Sequence, residues 1–339
     1  MATWPGFSAQ LKKYETHEMK IHRYIASAGL VAASMSAGIS LAQENTVPRV
    51  GFVAGAGGYP KMAVTNQAFF DGLADAGYKD GRTMQVVFRT AEGNMSLMPA
   101  LIRETLAENV DYLVASSSPG CAAAKNVTTT VPVLCISVQD DPIREGLTTS
   151  LASGSGNIVG VHSYLADGIS QQLGMLQELK PGLQKLGVLF NPNNATHKRL
   201  LADWERVAKQ QSVVIVPMPA TVSSDLEKAI YAAKSQKAEI AIGLLGADTY
   251  AMRKEIAEVA KANDFPIAMD TPGGYTQMGG VATIGVDIVP LYRRGALELM
   301  VPMLQGKKPS ELPWIGPKEA VMKINDDTAR EFRLVVKQK

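Results

Sequence analysis

The sequence predicts an α/β protein built as two doubly wound parallel-sheet lobes joined by three hinge crossings, and three observations carry that expectation. Its 339 residues exceed one typical domain and suit two. After residue 47, short apolar runs alternate with helix-period segments, the pattern of a parallel sheet covered by helices. The alternation runs once as far as Asp140 and starts again near residue 165.

The first lobe opens with a strand from Arg49 to Ala54 and a turn, Gly55-Ala56-Gly57-Gly58-Tyr59-Pro60. A helix follows over Asn66–Ala76, with Phe69, Phe70, Leu73 and Ala76 at helical spacing and Gly77 as its stop. The two phenylalanines are expected in the core. Thr83–Arg89 reads as a strand, Leu97–Glu108 as a helix and Asp111–Ala115 as a strand. The turn Ser116-Ser117-Ser118-Pro119-Gly120 leads into a small-residue helix from Cys121, and Val131–Ser137 is the next strand, closed by Gln139-Asp140-Asp141-Pro142. A strand at Ile158–His162 precedes a first crossing near Ser163-Tyr164.

The second unit repeats the alternation. Helices are expected at 165–180, 195–211, 223–236 and 250–263, and strands at Lys185–Phe190, Val213–Pro217, Glu239–Leu244 and Pro266–Met269. Gly280–Val286 reads as a strand returning to the first lobe. Leu291–Gly306 is a helix that turns Leu297, Met300, Val301 and Leu304 inward and is kinked by Pro302. The strand Glu319–Ile324 and the helix Asp326–Arg333 end the chain. The expected division is a leader over 1–42, one lobe from 47–163 with 280–313, and a second from 164–279 with 318–339, with later crossings at Met278–Gly280 and Pro313–Pro317.

Open α/β sheets bind ligands beyond the carboxyl ends of their strands, which selects the candidate site. The first lobe offers Tyr59, Ser116, Ser117, Ser118, Gln139 and Asp140. The second offers Asn193 (within Asn191–Asn194), Asp248, Asp270 and Thr271. Tyr164, with His162, adds stacking surface at the crossing. The serine turn sits on a helix N-terminus, where free N–H groups favour a carboxylate, and Asp140 or Asp270 suits an ammonium. Each aspartate is equally at home as a helix cap or turn former.

Several segments together resemble the substrate-binding proteins of ABC transporters whose characterised members bind tryptophan or related amino acids. They include Gln67–Leu73 with Ala76-Gly77-Tyr78, Ala91-Glu92-Gly93-Asn94 and the 111–142 unit. Gly156–Gly160, Leu189–Asn193 and Leu291–Ala296 continue the match in order. The resemblance implies the type I periplasmic binding protein fold, a small amino acid-like or aromatic carboxylate ligand in the cleft, and an ABC permease as membrane partner. It carries a Ser/Thr-Pro turn onto Ser118-Pro119 and an Asp-Pro onto Asp141-Pro142. Gln139-Asp140 and Asp270-Thr271-Pro272-Gly273-Gly274 depart from the common pattern where ligand identity is set.

Composition excludes other classes. Residues 1–42 hold four of the 34 basic and two of the 32 acidic residues, leaving 30 of each, so no basic face for nucleic acid is expected. Lys20 and Arg23, an uncharged small-residue run from Ile25 to Leu41, and Ser40-Leu41-Ala42 read as a secretory signal cut before Gln43, giving a periplasmic, monomeric protein without a lipid anchor. Cys121 and Cys135 are expected as buried thiols, with a disulfide as the alternative. With His162 and His197 far apart, no metal cluster forms in sequence. Pro60 stands in the place of the third glycine of a dinucleotide turn, so no cofactor is expected. No nucleophile elbow or P-loop suggests an enzyme acting on a small molecule, and no helix-turn-helix precedes Val47 to suggest a regulator.

Overall fold

A computed structural model describes residues 47–57, 63–270 and 274–336; the expected signal segment, Tyr59 and Thr271 lie outside the described residues. No described helix is long and apolar enough to cross a membrane.

The first lobe contains β1 (Arg49–Ala54), α1 (Val64–Asp75), β2 (Gln85–Thr90), α2 (Met98–Leu106), β3 (Tyr112–Ser116), α3 (Ser118–Val127), β4 (Val133–Val138) and β5 (Ile158–His162). Its sheet is parallel with order β2-β1-β3-β4-β5. The inner strands are apolar along nearly their whole length because helices cover both faces. Phe52 anchors the core, its ring 5.4 Å from Phe69 and 5.3 Å from Phe70, and the two helical phenylalanines are buried as expected.

The second lobe contains α4 (Gly168–Leu179), β6 (Lys185–Phe190), α5 (Ala195–Gln210), β7 (Val214–Pro219), α6 (Leu226–Ser235), β8 (Ile240–Gly243), α7 (Ala247–Ala251), α8 (Arg253–Ala262), β9 (Ile267–Met269) and β10 (Ala282–Gly285). Late in the chain, β11 (Val321–Ile324) joins the same sheet, whose order is β11-β10-β9-β8-β6-β7. Without β11, which runs antiparallel to β10, the order repeats that of the first lobe strand for strand. In each sheet the strand order therefore reverses at one point, between β1 and β3 and between β6 and β8.

Strand β10 corrects one expectation. It pairs with β9 (Thr283 with Met269) and β11 (Ala282 with Ile324) in the second sheet and does not return to the first. Its four residues, Ala-Thr-Ile-Gly, are all buried, so no polar face marks which sheet they join. The chain crosses later, between Gly285 and α9 (Ile288–Arg294), which packs on α1 through Arg293 Nη2 to Asp75 Oδ2 at 2.5 Å. The other crossings follow β5 and precede β11, near Tyr164 and after Ile315, which is bridged to Val161.

Asp287 caps α9 by accepting the Val289 N–H at 3.2 Å. Pro302 has no N–H to give the preceding turn, and residues Gly295–Met300 widen into a π-helical turn before α10 (Val301–Leu304). That turn rotates the buried face. Leu297, expected inward, is 36% exposed, while Ala296, Leu299, Met300 and Met303 are buried. The last helix is α11 (Asp326–Glu331).

The lobes meet where β1 ends. A Cβ built on Gly55 would lie 2.6 Å from the Ala247 Cβ of α7, across the cleft, and its backbone needs no left-handed conformation. Gly55→Ala is therefore expected to leave both lobes folded and hold them apart. X-ray scattering would read this as a larger radius of gyration at an unchanged melting temperature.

Candidate functional site

Three consecutive serines tie the loops of the first lobe together. Ser116 Oγ accepts the Gly55 N–H at 2.7 Å, joining the ends of β3 and β1. Ser117 caps α3 by accepting the Gly120 N–H at 3.3 Å, and among the described residues its hydroxyl donates only to the Met95 thioether, at 3.5 Å. Ser118 Oγ accepts the Gln139 N–H at 3.0 Å and so fixes the end of β4. Ser117 holds φ 72 and ψ 158, a conformation natural to glycine alone, and Ser137 holds φ 60. Ser137 and Thr65 share a cavity lining with Tyr292, whose pKa burial pushes up.

Opposite them, the loop after β8 is set by His197. This buried ring accepts the Asn191 N–H on Nδ1 at 3.0 Å and meets the Leu245 carbonyl at 2.9 Å on Nε2. A carbonyl only accepts, so the proton sits on Nε2 and the ring is neutral; burial pushes its pKa down, in agreement. Asp248 Oδ2 accepts from Asn191 Nδ2 at 2.5 Å, completing a brace under α7. Tyr250 projects from α7 with Arg253 stacked 4.1 Å from its ring.

Between these two sets of loops lies a cavity of about 30 Å³. Ser116, Ser117, Ser137, Gln139 and Thr65 form its polar side; Ala56, Leu245, Ala247, Tyr250, Ile288 and Tyr292 form the rest. Two buried polar atoms on its wall, Gln139 Oε1 from one lobe and the Tyr250 hydroxyl from the other, have no partner among the described residues. Buried polar groups are paired as a rule, and exceptions call for an explanation such as a ligand. At this size the cavity admits one or two waters.

Of the residues singled out from sequence, Ser116, Ser117 and Gln139 reach this cavity. Ser118, Asn193 and Asp248 line the wider mouth of the cleft instead. Tyr164 and Asp270 line a groove of about 310 Å³ on the hinge side, which Gln139 also borders. Asp140 is fully buried, but Arg144 and Arg199 occupy its carboxylate, so it does not face the cavity. Thr65, Ser137, Tyr250, Ile288 and Tyr292 were not anticipated. Ser137 was the readable one, a lone polar residue in the apolar run Val133–Val138. Cys121 and Cys135 are free and buried, and no group of metal-ligating side chains occurs among the described residues.

Residues 57–339 match the family model described as ABC transporter substrate binding protein. The chain belongs to that family. A tyrosine-binding protein of Clostridioides difficile strain R20291 is 28% identical over 275 residues, covering 80% of this chain and 77% of that protein. The crystal structure of a conserved domain protein from Vibrio cholerae is 22% identical with a TM-score of 0.77, covering 86% of this chain and 97% of that one. An ABC domain from Streptococcus pneumonia in complex with L-Trp is 19% identical, with the same TM-score and coverage. These two structures share the two-lobed fold.

In this substrate-binding protein, Asp270 stands apart electrostatically. Its carboxyl accepts from Gln172 Nε2 and the Leu245 N–H and presses on Gly285, where any Cβ would collide with it. The residue is partly open to the groove, yet no cation pairs with it among the described residues, and burial pushes its pKa up to about 7. The folded value lies above the unfolded one, so the folded state holds its proton longer, and stability contributed by this group falls as pH rises from about 4 to about 7. Asp270→Asn should therefore melt higher than the parent at about pH 8 and match it near pH 4, which a pair of melting curves checks.

Proposed function

We propose that this substrate-binding protein captures an aromatic L-amino acid between its lobes and presents the closed complex to an ABC permease. One observation carries the reading: a buried acceptor, Gln139 Oε1, and a buried phenol, Tyr250 OH, come from opposite lobes and stand unpartnered on one cavity wall. A zwitterion suits both sides of that wall. Its carboxylate faces Ser116, Ser117 and the N-terminus of α3, and the Ser117 hydroxyl exchanges a weak thioether acceptor for a charged oxygen. Its ammonium donates to Gln139 Oε1. Its ring lies among Tyr250, Tyr292, Ile288 and Leu245. The tyrosine-binding relative and the L-Trp complex support the same class.

Closure follows from the division of labour. Each lobe alone offers only part of the contacts, so the ligand favours the state in which both reach it. The protein works outside the cytoplasm as a monomer, with residues 19–42 as a cleaved export signal. N-terminal sequencing of the exported protein should read Gln43-Glu44-Asn45.

The test is a stability screen of the purified protein against L-tyrosine, L-tryptophan, L-phenylalanine and aromatic acids lacking the amine. The amino acids should raise the melting temperature and the deaminated acids should not; the reverse order would overturn the zwitterion. Ser117→Gly removes the hydroxyl from a backbone that glycine adopts freely, and Ser-to-Gly at a cap costs only a few tenths of a kcal/mol. It should weaken L-tyrosine binding about tenfold, the worth of a charge-assisted hydrogen bond, with the empty protein at least as stable as the parent.

A further inference from the structure

Beside the cavity, and lining no part of it, is a network of charged side chains shared by the two lobes. It starts one residue after Gln139. Asp140 is 0% exposed, and Arg144, in the same lobe, grips it through Nε at 2.9 Å to Oδ2 and Nη2 at 2.5 Å to Oδ1. Helix α5 brings the other half. Arg199 reaches across with Nε 3.3 Å from Asp140 Oδ2 and Nη2 2.8 Å from Glu145 Oε1. Thr196 donates to Glu145 at 2.7 Å, and Asp203 takes Arg144 Nη1 at 2.6 Å. Arg206 closes the set on Asp203 at 3.2 Å.

We infer that this network is the catch that holds the lobes shut, and that Arg199 is a positioning residue for ligand binding that touches no ligand. Thr196, Arg199, Asp203 and Arg206 recur at intervals of three and four, so one face of α5 carries every second-lobe member. Three acids (Asp140, Glu145, Asp203) meet three arginines, so closing creates no net charge. When α5 swings away, Asp140 keeps Arg144 and no buried carboxylate is stranded, the event that makes breaking a buried pair so unfavourable. The catch therefore opens without leaving a buried charge unpaired, as a carrier that must release its cargo requires. Its half-exposed guanidinium groups make it sensitive to salt. Because Asp140 follows Gln139 directly, a ligand that fixes Gln139 also fixes the anchor of the catch; this link rests on the cavity being the ligand site.

The experiment compares the parent protein with Arg199→Gln and Arg199→Lys, first without ligand by X-ray scattering, then by titration with L-tyrosine. Both are run at about 0.05 M and about 1 M NaCl, where the screening length falls to about 3 Å. The parent should expand and bind L-tyrosine more weakly at high salt. Arg199→Gln should be expanded at both salts and bind about tenfold more weakly at low salt, with little salt dependence left. Arg199→Lys should keep the salt dependence of the parent, which a merely structural role would not give. Equal radii for the parent and Arg199→Gln at low salt would overturn the catch. If L-tyrosine binds none of the three proteins, the guest in the cavity is misassigned and the scattering alone decides the catch.

Discussion

Polar groups reach the cavity because of where strand order reverses. In a parallel sheet every strand end points its loop the same way, but only at the reversal do neighbouring loops lead to helices on opposite faces and leave a crevice. The first lobe has that crevice between β1 and β3, where Gly55 and Ser116 are hydrogen-bonded; the second has it between β6 and β8, where His197 joins Asn191 to Leu245. Two copies of one strand order, joined by three crossings, make two crevices at the carboxyl ends of their strands face each other. Neither is a binding site alone. The function of a carrier, to enclose and release, follows from splitting one site between two rigid bodies.

Two carboxylates, Asp140 fully buried and Asp270 largely so, show two answers to one electrostatic difficulty. A carboxylate out of water must find a cation, accept several hydrogen bonds or take up a proton. Asp140 finds two guanidinium groups, one of them from the other lobe, and so becomes part of closure. Asp270 finds only a side-chain amide and a backbone N–H, and it moves toward the protonated form. His197 solves the mirror problem by remaining neutral, both ring nitrogens committed to the backbone. The second lobe thus presents its loop to the ligand on a brace whose histidine stays neutral.

How much of this was legible follows from what each residue's neighbours reveal. The lobes were readable because strands covered on both faces spell continuous apolar runs, and Ser116, Ser117 and Gln139 because a polar turn after such a run must lie at a strand's carboxyl end. Asp140 looked the same on paper as Gln139. What separates them are Arg144, four residues on, and Arg199, 59 residues on, and only the first is local to Asp140. Strand β10 misled for a related reason: its choice of sheet depends on β11, which arrives after a whole excursion into the first lobe. Tyr250 and Tyr292 lie inside helices, where an aromatic residue reads as core. Only the closing of one lobe on the other turns these two toward a common space.

The strained serines bring the chemistry and the fold together. At Ser117 and Ser137 the backbone sits where glycine is at ease and a side chain costs about 1–3 kcal/mol. A chain with 30 glycines places serine at both points. The hydroxyls account for it: Ser117 caps the helix whose N-terminus faces the cavity, and Ser137 adds a polar group to the cavity wall beside Tyr292. Each is held in its strained form by groups the fold supplies anyway, the β3–α3 turn in one case and the last residues of β4 in the other. The strain is thus stored in the empty protein at the two positions where a hydroxyl has to point inward between the lobes, and glycine, though easier to place there, would leave the polar side of the cavity without them.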